Sequence, residues 1–485
     1  MKKRIKGRPR TVGLSESVIR KFLDQDPKLG QAIERASEHQ QELLQRYPEI
    51  SRLGERELQK KLQEGILNFY PDASVSTYIP AAARGPWVIS LYGAVSYDTG
   101  GYGMLGLGHH PEAVFKAMSR DHVMANVMTP SFSQYEFVKR LQERIGERRG
   151  NNPYQQYVFM NSGSEAMTVA ARVSDIHAKV MTDPGAKYEG REIKVVGLSG
   201  GFHGRTYRPA RASDSTRKKY QVLASFRDYN KLLTVRPNDV NDLKRVFNKA
   251  YNEDNQYIEA MFMEPVMGEG NPGESITPEF YAAARELTCQ YDSYLIIDSI
   301  QAGLRCQGVL SIVDYPGFEN LEPPDMESFS KAVNAGQFPL SVLALRQETA
   351  SVYQTGVYGN TMTSNPRALD VGCAVLDSIT PELRDNIVKR GKELKEGLLK
   401  LKDEFPGMVT KVQGTGLLAS AELDKKYSVV GFGGVEEWMR VHGLNVIHGG
   451  ANSLRYTPHF GLTSDEVALI VDITREALES FCGQA

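Results

Sequence analysis

Short apolar runs alternate with helical stretches over most of the chain beyond about residue 154. The runs are rich in β-branched and aromatic residues and read YVFM, IKVVGLS, IEAMFMEPV, YLIID and SVLALR. Longer segments with helical patterns, such as SEAMTVAARVSDIHAKVM and TPEFYAAARELTCQYD, lie between them. Such alternation predicts βαβ units on a mostly parallel central sheet. Strands as apolar as residues 294–297 are expected to be covered on both faces.

The two flanks of this region have a different pattern. In the first 70 residues the apolar positions predict short amphipathic helices separated by Pro27 and Pro48. After about Pro381 a charged helix over residues 383–402 precedes a strand-rich stretch, and a last helix begins near Ser464. The C-terminal part is therefore expected to form a separate α+β domain.

Composition excludes several classes of protein. The chain has 485 residues, 41% of them hydrophobic, and its 58 basic residues are balanced by 59 acidic ones. This balance argues against a general affinity for nucleic acid or for acidic membranes, both of which favour a basic surplus. No apolar run is long enough for a transmembrane helix, and the basic start leads into polar residues rather than into a secretory signal.

Cysteine usage indicates a reducing compartment. The four cysteines are too few and too scattered for a disulfide scaffold or a zinc site, so we predict reduced thiols, no metal and a cytoplasmic protein. They are Cys289, Cys306, Cys373 and Cys482.

The N-terminal segment carries a local basic surplus. Its first 70 residues hold 15 Lys and Arg against 10 Asp and Glu. The run KGRPR, residues 6–10, is similar to an arm that enters the minor groove of DNA. Blocks of charge at chain ends are more often frayed and solvated, which is the state we expect here.

Two candidate sites lie directly after predicted strands, where open α/β sheets bind their ligands. The segment NSGSEA, residues 161–166, opens a helix with small residues, which suits either a bound phosphate or an ordinary helix cap. Asp298 closes the strand YLIID, so its carboxylate should be partly buried and needs a positive partner. That partner could be a protonated ring nitrogen of a ligand or a nearby arginine.

Two basic residues complete the candidate chemistry. Lys331 precedes a turn rich in small residues with little charge around it, where an amine could be desolvated for a Schiff base or could simply be solvated. Arg455 lies between Leu454 and Tyr456 and could grip a carboxylate or form an internal ion pair. Together the four features are what pyridoxal phosphate needs to act on an amino acid.

From about Tyr78 to Glu479 the sequence resembles the class III aminotransferases, which are pyridoxal-phosphate enzymes of fold type I. It is similar to ornithine, lysine-6 and 4-aminobutyrate aminotransferases. The motifs that carry this resemblance occur in the family order and are LGLGHHPE, SGSEA, GGFHGRT, EPVMGEG, IIDSIQAG and GNTMTSNP.

The resemblance implies a role for each matching residue around the cofactor. Lys331 would bind pyridoxal phosphate as a Schiff base, and Asp298 would be the partner of its pyridine nitrogen. Gln301 would lie beside the phenolic oxygen, and Phe202 against the face of the ring. The phosphate would be held by Ser162, Gly163, Ser164 and, from the neighbouring subunit of a homodimer, Thr361.

The resemblance also implies where the substrates bind. Arg455 matches the arginine that grips a substrate carboxylate, and Glu269 matches the acid that pairs with it and releases it. Tyr102 and Arg205 lie where related enzymes contact substrate, although plain structural roles are equally open for both. No nucleic-acid or membrane partner is expected.

The sequence departs from the family pattern next to Asp298. The usual Asp-Glu pair is Asp298-Ser299 here, and the Gly-Arg-Thr-Gly that follows is replaced by residues 304–308, LRCQG. The stretch from Asp298 to Lys331 is also longer than the family commonly shows. These changes affect the substrate assignment more than the reaction class.

The resemblance implies an α/β fold with a large cofactor-binding domain, residues 116–380, around a mostly parallel sheet. Residues 71–115 and 381–485 would form a smaller α+β domain, and residues 1–70 a helical extension. The expected activity is ping-pong transfer of a terminal amine to 2-oxoglutarate or pyruvate. A decarboxylase, racemase or aminomutase of the same fold, or a non-catalytic regulator that retains the cofactor, remain alternatives.

Overall fold

A computed structural model describes residues 1, 4–124, 127–227 and 229–482. The chain divides into two compact units. One unit consists of Met1–Glu112 together with Lys389–Ala485, and the other of Ala113–Val388.

Fifteen strands are described. They are β1 Pro80–Arg84, β2 Trp87–Ser90, β3 Val95–Asp98, β4 Gln156–Met160, β5 Glu192–Leu198, β6 Leu232–Val235, β7 Gln256–Met263, β8 Tyr294–Asp298, β9 Met326–Phe329, β10 Ser341–Leu345, β11 Val409–Thr415, β12 Leu418–Leu423, β13 Leu444–Asn445, β14 Ile447–Gly449 and β15 Ser453–Tyr456.

Fourteen α-helices accompany these strands in the described ranges. They are α1 Glu16–Gln25, α2 Pro27–Arg46, α3 Glu55–Leu62, α4 Glu112–Met118, α5 Phe132–Arg144, α6 Gly163–Thr182, α7 Tyr207–Ala212, α8 Val240–Asn248, α9 Pro278–Gln290, α10 Gln347–Ala350, α11 Pro366–Asp377, α12 Pro381–Glu404, α13 Val435–Val441 and α14 Ser464–Cys482.

The unit Ala113–Val388 is built on one seven-stranded sheet. Its strands lie in the order β4, β10, β9, β8, β7, β5, β6. Only β10 runs against its neighbours, β4 and β9, and the other pairings are parallel. The predicted α/β class with a mostly parallel central sheet is therefore confirmed.

The apolar strands of this sheet are buried, as their composition predicts. Val169 and Val173 of α6 pack in one cluster with Phe262 of β7, Ile296 of β8 and Leu343 of β10. A sheet covered in this way leaves its strand ends as the places where polar side chains can gather. Because β4, β5, β7, β8 and β9 all point in one direction, their carboxyl ends lie at one edge.

The unit Met1–Glu112 with Lys389–Ala485 contains two four-stranded sheets. One has the strand order β1, β2, β3, β13, and the other the order β11, β12, β15, β14. Helix α2 begins at Pro27, with Asp26 as its N-cap, which matches the preference of proline for the first helical turn.

The backbone at the basic start of the chain packs within this unit rather than fraying, whereas the side chains of Arg4, Lys6 and Arg8 are exposed, as expected for a solvated block of charge. Ile5 and Thr11 are buried, and the backbone N–H groups of Arg10 and Thr11 donate to Glu55 Oε2 (2.7 and 2.8 Å). The Arg10 guanidinium also pairs with Glu437. The Glu55 carboxylate is buried and needs hydrogen-bond donors, so it holds the backbone of this segment in place.

Within the described ranges, no helix combines the length and the apolar character that a membrane span requires.

Candidate active site

Lys331 and the end of β8 meet at the carboxyl edge of the large sheet. Lys331 follows β9 after one residue and begins a 3-10 helix, Lys331–Asn334. Its φ of 48° lies in the left-handed region, a strained state that recurs at functional sites. Its Nζ donates to Gln301 Oε1 (3.2 Å). The structure therefore brings together two residues that lie thirty positions apart in sequence.

Asp298 ends β8 as a buried carboxylate, with 5% of its surface exposed. Its Oδ1 accepts a hydrogen bond from the backbone N–H of Ile300 (3.1 Å). Its Oδ2 lies 3.0 Å from Nδ1 of His203, which is itself buried. The imidazole thus fixes the orientation of the carboxylate and supplies the polar partner that burial requires.

A second buried carboxylate, Glu264, joins the loops after β5 and β7. Its Oε1 accepts from the N–H of Phe202 (2.9 Å), and its Oε2 accepts from the N–H of Gly268 (2.9 Å). Burial raises the pKa of the Glu264 carboxyl to about 7. His203 and Glu264 were not singled out from sequence, although both stand inside the motifs GGFHGRT and EPVMGEG.

The segment NSGSEA opens α6 with a complete capping box. Ser162 Oγ accepts from the N–H of Glu165, whose carboxylate accepts from the N–H groups of Asn161 and Ser162 (both 2.9 Å). Of the two roles that the sequence left open, phosphate binding and helix capping, the Ser162 side chain takes the helix cap. The first N–H groups of a helix lack intrahelical partners, so Gly163 and Ser164 present theirs at the positive end of α6.

Space beside this helix start is kept by glycine. A Cβ at Gly204, where φ is 110°, would lie 2.4 Å from Ser164 Oγ. The same Ser164 Oγ accepts from the N–H of Arg205 (3.3 Å). The hydroxyl proton of Ser164 is therefore available to donate to an anion.

Gln301 provides a further polar group at the site. It is buried, and among the described residues its Nε2 has no hydrogen-bond partner. A Cβ at Gly268 would lie 2.0 Å from Gln301 Oε1, so any residue other than glycine would clash with the amide in its present position. A buried donor with no partner costs free energy. The oxygen of the same amide, Oε1, lies 3.2 Å from Lys331 Nζ.

These groups fit pyridoxal phosphate. The cofactor has a phosphate that suits the start of α6, a ring nitrogen that suits Asp298, a phenolic oxygen that suits the Gln301 amide, and an aldehyde that suits Lys331. Phe202 is partly exposed beside them, and the Arg205 guanidinium lies 5.9 Å from the centre of its ring.

Thr361 lies on an exposed segment near the start of α6. Residues just before it are tied to Glu165, since the Tyr358 hydroxyl (3.0 Å) and Asn360 Nδ2 (2.6 Å) both donate to Glu165 Oε1. Thr361 itself is exposed, a position from which a side chain can reach a second molecule.

The four residues expected at the substrate belong to different units. Arg455 and Tyr102 lie in the unit Met1–Glu112 with Lys389–Ala485, whereas Glu269 and Arg205 lie in the unit Ala113–Val388. Arg455 is on β15 and is almost fully buried, and its guanidinium carbon lies 5.4 Å from the centre of the Tyr102 ring. The structure therefore brings Arg455 and Tyr102 together.

Known proteins are similar to this chain over most of its length. The family model described as aminotransferase class-III matches residues 70–478. An acetylornithine aminotransferase of Neisseria meningitidis serogroup B is 28% identical over 421 residues, which are 85% of this chain and 97% of the relative. The acetylornithine aminotransferase of Synechocystis is 29% identical over 66% of this chain and 71% of its own.

Solved structures share the fold. The ornithine aminotransferase of Toxoplasma gondii superposes with a TM-score of 0.76 at 20% identity, over 91% of this chain and 99% of that one. The N-acetylornithine aminotransferase of Stenotrophomonas maltophilia gives a TM-score of 0.65 at 22% identity, over 88% and 100%. With the family model matched over most of the sequence, the chain belongs to the class III aminotransferases, enzymes of fold type I that use pyridoxal phosphate to transfer an amino group.

Proposed function

We propose that this enzyme takes the terminal amine of an ω-amino donor, such as ornithine, N-acetylornithine, lysine or 4-aminobutyrate, and passes it to a keto acid. The observation that carries the proposal is the Lys331 amine, held 3.2 Å from Gln301 Oε1, with Asp298 at the end of the neighbouring strand. The names of its relatives, acetylornithine and ornithine aminotransferases, support a donor whose side chain ends in an amine.

Lys331 and Asp298 act as the catalytic residues of this proposal. When bound, pyridoxal phosphate supplies an electron sink for the substrate carbon that loses its proton. Asp298 would accept a hydrogen bond from the protonated ring nitrogen, and His203 keeps the carboxylate oriented through Oδ2. Lys331 Nζ would hold the cofactor aldehyde and would serve as the base that takes the proton from the substrate carbon.

The remaining residues of the large unit hold the cofactor. Gly163 and Ser164 donate backbone N–H groups to the phosphate, and Ser162 contributes by capping the same helix. Gln301 donates through Nε2 to the phenolic oxygen, which gives the buried amide its partner. Phe202 supports the ring from one face.

Arg455 and Glu269 select the substrate. A buried guanidinium suits a bidentate grip on a carboxylate, and Arg455 is 1% exposed on β15. We assign to Glu269 the masking of that charge while the donor is bound, and its release when the keto acid enters. The Tyr102 ring centre lies 5.4 Å from the Arg455 guanidinium carbon, and we also assign Tyr102 and Arg205 to substrate binding, as the family resemblance implies.

A homodimer completes the site. The large unit exposes several large apolar side chains, which a dimer interface could cover. Prominent among them are Val127, Met128, Phe132, Tyr135, Tyr207, Val222 and Met362. We assign to Thr361, which is exposed next to Met362, a contact with the cofactor phosphate of the partner subunit.

The thiols suit a reducing compartment, and we place the enzyme in the cytoplasm. All four cysteines are free. Burial raises the pKa of the Cys306 thiol to about 12, so this cysteine is inert rather than a redox-active group.

A panel of donors against two acceptors tests the substrate proposal. Ornithine, N-acetylornithine, lysine and 4-aminobutyrate would each be assayed with 2-oxoglutarate and with pyruvate, for product and for CO₂. We expect turnover with at least one terminal amine, full dependence on the acceptor and no CO₂. Arg455→Ala should raise the acceptor KM about tenfold or more, whereas Arg475→Ala should leave it unchanged, because Arg475 of α14 is partly exposed and pairs with Glu404 and Asp472. Equal turnover by wild type and Arg455→Ala with both acceptors would contradict the proposal.

A further inference from the structure

A third buried carboxylate, Glu327, lies on β9 four residues before Lys331. Its side chain is fully buried. Oε1 accepts from Ser299 Oγ (2.5 Å) and from the N–H of Ile312 (2.9 Å). Oε2 accepts from the Tyr154 hydroxyl (2.9 Å) and from Ser311 Oγ. Across the described residues no ion pair reaches this carboxylate, so hydrogen-bond donors alone replace its water.

The donors around Glu327 tie the exit of β8 to β9. Ser299 directly follows Asp298, and its backbone N–H donates to Ser328 O (3.0 Å), the residue that Asp298 faces in the strand register. Gln301 lies two residues further on. Glu327 therefore connects the end of β8 and the turn after it, which carry Asp298 and Gln301, to the strand that leads to Lys331.

This connection explains the departure of the sequence from the family motif. The family carries Asp-Glu at this place, and here the second position is Ser299. The Ser299 hydroxyl lies at hydrogen-bond distance from a carboxylate that comes from the neighbouring strand. The chain thus keeps a carboxyl group beside the exit of β8 but supplies it from β9.

We propose that Glu327 is a positioning residue that substitutes for the missing acid at position 299 and fixes the backbone carrying Asp298 and Gln301 against Lys331. This inference rests on the proposed roles of Asp298, Gln301 and Lys331. Glu327 contacts neither substrate nor cofactor and acts through Ser299 and the segment 311–312.

The first test is Glu327→Gln in the full-length enzyme. Glutamine keeps the size of the side chain, but its amide donates where four donors already converge, so at least one of them loses its acceptor. We expect the dissociation constant for pyridoxal phosphate, from titration of visible absorbance, to rise about tenfold or more. The kcat should fall by a similar factor, with the donor KM unchanged. The matched control is Glu286→Gln, an exposed carboxylate on α9, which should change neither quantity.

The second test moves the acid back to β8. Ser299→Glu alone places two buried carboxylates in contact and should weaken cofactor binding, as should Glu327→Ser alone. The double variant Ser299→Glu/Glu327→Ser restores one carboxyl group at this point, and we expect tighter cofactor binding than in either single variant. If the two residues only filled space, exchanging them would not restore cofactor binding. If Glu327→Gln does not fold, Ser299→Ala, which removes a single donor, should still raise the dissociation constant severalfold.

The outcomes separate the two levels of the proposal. A wild-type enzyme that binds no cofactor and transfers no amine would overturn the proposed function and this inference with it. An active wild type whose Glu327→Gln and Ser299→Ala variants match it in cofactor affinity and kcat would overturn the positioning role alone. A double variant that binds the cofactor no more tightly than the better of the two single variants would also contradict it.

Discussion

Two hydrogen bonds set the orientation of the buried Asp298 carboxylate. Its Oδ2 faces His203 Nδ1, and its Oδ1 is held by the N–H of Ile300, so both oxygens are fixed before any ligand arrives. A carboxylate held in this way loses little freedom when it accepts a further hydrogen bond from a charged ring nitrogen. We therefore expect the proposed chemistry to depend on the charge of Asp298 more than on the size of its side chain.

The variant Asp298→Asn tests this dependence. Asparagine keeps the shape but loses the charge, and a hydrogen bond to a charged group contributes about 1.5–3 kcal/mol, so kcat should fall about tenfold to a hundredfold. Steady-state kinetics with saturating pyridoxal phosphate would measure the change. Asp254→Asn, on the exposed turn before β7, serves as the control and should keep the wild-type rate. Wild-type kcat in Asp298→Asn would show that the ring nitrogen does not depend on this carboxylate.

At the scale of elements, the parallel strands of the large sheet deliver the functional groups to one edge. β8 ends in Asp298, β9 leads into Lys331, and β4 leads into the capped start of α6. Two glycines keep this edge open, because a Cβ at Gly204 or Gly268 would overlap Ser164 or Gln301. The space is thus a property of the loops that follow the strands.

The variant Gly268→Ala should fill that space. The added Cβ would lie 2.0 Å from Gln301 Oε1, so the amide must move away from Lys331. We expect the dissociation constant for pyridoxal phosphate to rise about tenfold or more, from an overpacking cost of roughly 1–3 kcal/mol. Gly30→Ala in α2, where a Cβ meets only ordinary contacts, should leave cofactor binding unchanged. Unchanged affinity in Gly268→Ala would mean that Gln301 has no part in holding the cofactor.

Much of this edge can be predicted from sequence, and some of it cannot. Asp298 and Lys331 stand out because a charged residue follows an apolar run or precedes a turn of small residues. Strand β9, by contrast, has the sequence MESF. Its charged residue Glu327 does not fit the pattern of a buried strand, although β9 is buried on both faces. His203 and Glu327 become visible only when strands far apart in sequence bring their partners, Asp298 and Ser299, beside them.

The packing of the basic N-terminus could not be predicted for the same reason. Its charge pattern correctly indicates exposed basic side chains, but the buried acceptor that holds its backbone, Glu55, lies at the start of α3. Local patterns report propensity and charge, whereas the partner of a buried polar group is decided by the tertiary fold.

At the scale of the whole molecule, the exposed apolar side chains of the large unit predict a dimer. Phe132 opens α5 with 85% of its surface exposed. A charge at this position would have to be buried without a partner in a dimer interface. The variant Phe132→Glu should therefore shift the mass measured by light scattering from dimer towards monomer, and cofactor affinity should fall with it because Thr361 is lost from the partner site. Val180→Glu, at the far end of α6, should remain dimeric. A monomeric wild-type enzyme with full activity would contradict the dimer and the shared phosphate site together.

The visible spectrum of the purified protein with pyridoxal phosphate tests directly whether Lys331 is the catalytic lysine. Wild type should show a visible cofactor band that disappears on addition of a terminal-amine donor and returns with a keto acid. Lys331→Ala should show no such cycle, because the amine that holds the cofactor and moves the proton is gone. A wild type without a visible band, or a Lys331→Ala variant that retains the full donor and acceptor cycle, would contradict the assignment of Lys331 as the catalytic lysine of this aminotransferase.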